Sequence, residues 1–434
     1  GEINIRGMAG GFVFTTLNGR EQVSPSGSRS IEFDQYPSEL ISEAAVSKSP
    51  KASLIEGGVA GTVELKTASP LMNRENHKVS LNLRGMLNDR ADEISDAEEF
   101  GHRISVSYQG KFADDTVGFA AGYARLYQPS VATQFVGLAY NGQKDLNLDG
   151  TSEFISEGFE LQHKGGEETR DGIMAVLEWQ PNDELSLRAD VYQSKFDTQA
   201  FARGFRVKTL QNGTILNPVV TADGAMIGGT VNRFQNDAFL VQTTNDDNTD
   251  FDDVLSAGLN LTWYKGPWTV SADLSTSEAE SNFINGVGWG LLFEDSSADS
   301  PVVEGNASVA SQLNNLDLPD LGFNQDYTDT NKLMLAKWGT YPYENTDNVD
   351  AVRLDVSFDF SDNPFLTSIE AGVRYSDRRY TNDRSVFEFG HDFGNYIGGQ
   401  EPLRLTDDMV RVVNFGGKFG NFPSYLAIDM DRAL

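Results

Sequence analysis

From residue 79 onward, apolar and polar side chains alternate with period two in stretch after stretch. Side chains on a strand point alternately to two faces, so each stretch makes a two-faced β-strand. Val79, Leu81 and Leu83 alternate with Ser80, Asn82 and Arg84. Leu185, Leu187, Ala189 and Val191 oppose Ser186, Arg188 and Asp190. Leu255, Ala257, Leu259, Leu261 and Trp263 share one face, as do Val352, Leu354, Val356, Phe358 and Phe360. The same reading holds at 103–109, 117–127, 173–179, 268–274 and 369–375. This gives about nine strands, each near the ~9–11 residues that cross a bilayer as tilted β.

The connections narrow the choice further. Short ones at 113–116, 180–184, 265–267 and 361–366 hold turn residues such as Asp114-Asp115, Asn182-Asp183, Gly266-Pro267 and Asp362-Asn363-Pro364. They alternate with long ones at 88–102, 128–171, 196–253, 281–350 and 381 to the end. Short turns on one side and long loops on the other describe an outer-membrane β-barrel. Aromatic residues flank the short turns (Phe112, Trp179, Trp263, Trp268 and Phe360 among them), as in the interfacial girdles of such barrels. The competing class is a soluble all-β sandwich, in which these rings would cap a core. In the barrel reading Arg84, Arg103, Arg188, Asp190, Asp273, Arg353, Asp355, Asp359, Glu370 and Arg374 face a wet lumen, because lipid would not tolerate them. A barrel must close, and about nine strands ending in a long loop suggest a fragment whose later strands are missing.

No run of ~18 apolar residues exists, so no transmembrane helix is expected; a β-barrel is untouched by that test. The formal net charge of −30, from 64 acidic and 34 basic residues, repels phosphate backbones and argues against a nucleic-acid partner. The absence of cysteine removes disulfides and thiolate metal sites. Four scattered histidines (His77, His102, His163 and His391) and the lack of a zinc-protease pair, nucleophile elbow or phosphate loop give no catalytic constellation. The expectation is therefore a protein that is not an enzyme.

Residues 1–70 have a different texture. They contain Ile3-Asn4-Ile5-Arg6-Gly7, Thr16-Leu17-Asn18-Gly19-Arg20-Glu21-Gln22 and Phe33-Asp34-Gln35-Tyr36-Pro37-Ser38-Glu39-Leu40, then Ala52-Ser53-Leu54-Ile55-Glu56-Gly57-Gly58-Val59-Ala60-Gly61-Thr62-Val63. Asn18-Gly19 is a hairpin turn between apolar pieces. Pro37 is placed to begin a short helix.

This wording resembles the later part of the plug domain of TonB-dependent outer-membrane receptors, in the proteobacterial branch described from Xanthomonas and Caulobacter. The resemblance covers about the first 70 residues; beyond them only barrel texture is shared. It implies a plug (1–70) inside a partial transmembrane antiparallel β-barrel (71–434) in the outer membrane of a Gram-negative bacterium. It also implies active import driven by the TonB-ExbB-ExbD complex, with outer-membrane lipid around the wall and an oligosaccharide as first substrate. A siderophore or metal chelate is the runner-up. A secreted glycan-binding module or glycosidase, and a passive porin, are the other classes.

Several residues follow as candidates. Plug arginines in such transporters pair with barrel carboxylates, which makes Arg6 the candidate latch, against a plain structural ion pair. Arg20, Gln22 and Arg29 lie in a plug loop that the resemblance points toward substrate, against a solvated loop. Trp289, Trp338 and Tyr341 offer flat rings to a sugar, against packing of the loop on itself. Asp145, Asn147 and Asp149 before Gly150 open like a calcium loop, but Ser156 stands where an EF-hand needs Glu. Calcium there would need Glu153 or Glu157; otherwise the stretch is an acidic turn. No other cofactor is called for.

Overall fold

A computed structural model describes residues 2–94, 97–233, 239–295, 302–360, 365–392, 395–397 and 402–433. The structure is almost entirely β. The N-terminal part folds into a small sheet from β1 (Val13–Leu17), β2 (Arg20–Glu21), β3 (Glu43–Ser47) and β4 (Gly61–Lys66), in the order β2-β1-β4-β3. Asn18 and Gly19 both adopt positive φ (53° and 78°), which is what a two-residue turn matching the strand twist demands. Around Pro37 the structure departs from expectation. The helical turn is a 3-10 turn at Phe33–Gln35, and Pro37 starts only a single turn closed by Leu40 N–H on its carbonyl at 2.9 Å.

A large antiparallel sheet follows: β5 (His77–Leu87), β6 (Phe100–Phe112), β7 (Val117–Gly137), β8 (Gly158–Asn182), β9 (Leu185–Lys208), β10 (Leu240–Lys265), β11 (Trp268–Leu292), β12 (Tyr343–Asp359) and β13 (Ser368–Arg384). Each strand pairs with its successor in the chain, a meander from β5 to β13. Among the described residues the sheet is open, because β5 pairs only with β6 and β13 only with β12. The turns at 113–116, 183–184 and 266–267 are tight; the tip of the β12–β13 connection, with Asp362-Asn363-Pro364, lies outside the described residues.

The long connections need correcting. Much of 128–171, 196–253 and 281–350 is strand, and β8 to β11 run to 24–26 residues each. Only the half next to the short turns shows apolar alternation. Beyond it the alternation lapses, and stretches such as 245–253 place polar residues on both faces. Between the wall strands, the segments 214–220, 226–232, 308–314 and 317–323 form a separate four-stranded sheet.

The apolar face of the wall is uncovered. Val79, Leu81, Leu83, Ile104, Val106, Ile173, Leu177, Leu259, Leu261, Trp263, Val352, Leu354, Ile369 and Val373 are all exposed. A continuous apolar surface of this extent marks an interaction face rather than ordinary protein surface. The other face carries the small N-terminal sheet. Ile5, Val13, Leu17, Ile31, Tyr36, Leu40, Val63 and Leu65 share a core with Ala120, Ala124, Met174, Val176 and Tyr192 of β7, β8 and β9. Close approach needs small wall residues there: a side chain at Gly122 or Gly172 would run into Leu40 or Pro37.

Candidate functional site

The N-terminal sheet and its loops, anticipated from the sequence as a plug and called the plug below, are held to the large sheet, the wall, by polar contacts as well as by that core. Arg20, 5% exposed, donates from Nη1 to both carboxylate oxygens of Asp190 on β9, at 2.8 and 2.9 Å. Its Nε and Nη2 donate to Asp273 on β11, both at 3.0 Å. All of the guanidinium's geometry is thus spent on two fixed carboxylates. Between these strands lies Gly258 of β10, where any side chain would overlap the guanidinium. Asn18 adds a bond to Asp190 at 3.1 Å.

The next residue makes the opposite contact. Glu21 accepts from Arg374 at 2.7 Å and from Arg378 at 3.1 Å, both on β13. Arg378 also pairs with Asp347 of β12 at 2.6 Å. A strand of two residues therefore grips the wall with both signs, from β9 to β13. Further ties ring the plug: Glu39 with Arg103 at 3.1 Å, Arg188 with Thr67 Oγ1 at 2.8 Å, and Arg353 with the Ser53 carbonyl at 3.1 Å.

These positions redistribute the anticipated roles. Arg6 is exposed at positive φ and takes no ion-pair partner among the described residues, so the plug–wall pair anticipated there stands at Arg20 instead. Arg20 and Gln22 are not free at the plug apex. Gln22 is buried, donates to Ser256 Oγ at 3.3 Å and accepts from Tyr36 at 3.1 Å. Arg29 is exposed.

The aromatic trio separates. In the β11 pairing Trp289 lies opposite Lys337, while Trp338 lies opposite Gly288 and so points to the other face. Trp338 stacks on Phe389 at 4.5 Å. Trp289 and Tyr341 stay on one side, the side that faces the plug lower down β11. There Lys337 lies over the Trp289 ring at 5.3 Å and pairs with Glu388 at 3.3 Å. The Tyr341 hydroxyl donates to Glu388 at 2.5 Å, and Asn285 Oδ1 accepts from the Tyr341 N–H at 2.8 Å. Burial, then the Glu388 carboxylate, raise the Tyr341 hydroxyl well above its usual range, so it is a donor. The result is a cluster at the end of β11 far from the β10–β11 turn, called the mouth cluster below: one indole face, an amide, a lysine and the Glu388 carboxylate. Lys337 and Glu388 could not have been found from the sequence, because nothing local links them to Trp289.

The acidic turn binds itself rather than gathering ligands. Asp145 accepts from the Asp149 and Gly150 N–H groups at 3.2 and 2.9 Å, Asp149 from Thr151 N–H at 2.7 Å, and Glu153 from Leu146 N–H at 2.8 Å. Asn147 donates to Asp149 at 2.9 Å. No group of three or more acidic or histidine side chains converges as a metal site among the described residues. Asp145, Asn147 and Asp149 thus cap backbone N–H groups of their own turn, the ordinary use of Asp and Asn in turns.

No family model matches the chain, and no curated protein does. Solved structures do align with it. One is the ferric enterobactin receptor PfeA of Pseudomonas aeruginosa, at 10% identity and a TM-score of 0.31, over 87% of this chain and 65% of that one. Another is the siderophore receptor PiuA from Acinetobacter baumannii, at 9% identity and a TM-score of 0.27, over 92% and 62%. The chain spans under two thirds of the length of either receptor.

Proposed function

We propose that this chain forms the plug and part of the wall of a TonB-dependent importer in the outer membrane of a Gram-negative bacterium. The observation that carries this reading is a single sheet with opposite demands on its faces. One face exposes a continuous apolar band over the strand halves next to the short turns. The other binds a separately folded sheet through buried ion pairs. A lipid-facing wall around a seated plug satisfies both. A soluble binding module or glycosidase leaves the apolar face unexplained, and an open porin leaves the plug unexplained. The reading assigns transport rather than catalysis, with TonB-ExbB-ExbD supplying the energy to unseat the plug.

For the solute we infer a neutral, hydroxyl-rich molecule such as an oligosaccharide. Trp289 offers a ring face, Asn285 and Glu388 offer polar partners beside it, and Arg29 lies exposed on the plug. The acidic character of the chain works against an anionic chelate. The test is uptake of labelled maltodextrins and chitooligosaccharides by cells with and without the complete gene product, with TonB active or disabled. Uptake requiring both supports the reading. Growth failure under iron limitation, without any glycan dependence, would move the solute to a siderophore and keep the importer.

A further inference from the structure

Where the plug apex meets the wall, the polar groups are oxygens with too few donors. Asp250 and Asp252 alternate along β10 and so lie on the plug-side face, beyond the 255–263 stretch that bears the apolar band. Asp252 Oδ2 accepts from Gln35 Nε2 of the plug at 2.8 Å, and Asp250 Oδ1 accepts from Ser281 Oγ at 3.2 Å. Neither carboxylate has an ion-pair partner among the described residues. Gln35 is 3% exposed and is fixed from behind, its own carbonyl accepting from Tyr192 Oη at 2.6 Å. Its amide nitrogen is committed to Asp252, yet its amide oxygen, buried in the same junction, has no partner. A buried amide oxygen left without a donor is costly, and native structures normally satisfy it.

We propose that Gln35, Asp250, Asp252 and Ser281 form a cation site that bridges plug and wall, suited to a calcium-class ion. The donors are two carboxylates, one amide carbonyl and one hydroxyl. That all-oxygen, flexible set fits Ca²⁺; Mg²⁺ holds its water too tightly to enter a closed junction. An organic ammonium is disfavoured by the burial of Gln35, which admits a stripped ion more readily than one end of a large solute. The cation Arg170 sits two strands along at the same height, ~9.5 Å away at the usual strand spacing. The site does not depend on the import reading, since it concerns how the plug is tied down.

The test is calorimetric titration of CaCl2 into the full chain in detergent at pH 8. The expected result is one saturable site, weakened at least about tenfold by Asp252→Asn and by Gln35→Leu. Gln35→Glu, which supplies another hard oxygen and a charge, is expected to bind as tightly or more tightly. Asp149→Asn in the acidic turn leaves the titration unchanged. Mg²⁺ binds more weakly. No saturable binding at up to about 10 mM, well above the range of weak extracellular calcium modules, overturns the proposal. So does binding that Asp252→Asn leaves intact while Asp149→Asn removes it.

Discussion

Arg20 on the plug and Asp190 on the wall form a buried pair in which one guanidinium nitrogen meets both carboxylate oxygens, at 2.8 and 2.9 Å. Neither partner has water to fall back on, since the two side chains are 5% and 4% exposed. Removing the cation alone leaves Asp190 with only the longer contact to Arg188 Nε at 3.4 Å, and leaves Asp273 with no cation among the described residues. Arg20→Ala is therefore expected to destabilise plug seating by about 3–5 kcal/mol. Arg20→Lys, which keeps the charge and loses the fork, should fall between. Thermal unfolding in detergent measures the cost, and single-channel recording in planar bilayers reads out the loosened plug as added conductance. An Arg20→Ala protein with wild-type stability and no added conductance would show that the pair is incidental.

Gly258 gives an independent approach to the same contact. Its missing side chain is the space that the Arg20 guanidinium occupies. Gly258→Val should displace the arginine without touching either carboxylate, and so reproduce much of the Arg20→Ala phenotype. In the double variant the two effects should be clearly less than additive, because both act on one contact. Full additivity would place the effect of Gly258 elsewhere.

These residues also show what could be read in advance. The wall was legible because a continuous exposed apolar band on one face and the packed N-terminal sheet on the other go with strict alternation. Asp190, Asp273 and Arg374 fell on the wet face from period two alone. Their partners were not legible. Arg20 and Asp273 are 253 positions apart, and no local pattern encodes which plug residue meets which strand. The Ile-Arg-Gly motif points to Arg6, yet Arg6 and Gly7 take positive φ and Arg6 is exposed. The extensions of β8 to β11 were unreadable for the complementary reason: with no apolar band along them, stretches such as 245–253 read as solvated loop.

Asp252 predicts a pH effect whose sign follows from burial. Its folded value of about 7 lies above the unfolded value near 4, so the folded state binds more protons between them. Stability from this group is present at low pH and declines as pH rises through that window. With calcium chelated, the melting temperature should fall between pH 5 and pH 8, and Asp252→Asn should flatten that fall. Added calcium should offset the loss at pH 8. An identical slope in the variant would remove Asp252 as its source.

The apolar face predicts a position-dependent response to charge. Leu261 on β10 points away from the plug and lies within the exposed apolar band. Leu261→Arg should cost about 2–4 kcal/mol in a bilayer and reduce the amount of protein assembled in the outer membrane. Thr262→Arg, one residue on and on the plug-side face, should assemble far better. Fractionation and heat-modifiable gel mobility report assembly directly. Equal tolerance at both positions would argue for a soluble sandwich.

The mouth cluster separates binding from folding. Trp289 is half-buried beneath Lys337, and Tyr341 reaches Glu388 across the same side. If a pyranose stacks on the indole, Trp289→Ala should lower oligosaccharide affinity by about tenfold or more, with little change in assembly or plug stability. Trp338→Ala makes the instructive comparison, because Trp338 faces the other way and stacks on Phe389. It should weaken the fold locally and leave affinity nearly untouched. Binding of labelled oligosaccharide to purified protein, read beside thermal unfolding of the same samples, distinguishes the two. Loss of affinity in Trp338→Ala with none in Trp289→Ala would put the solute on the opposite face and dismantle this site.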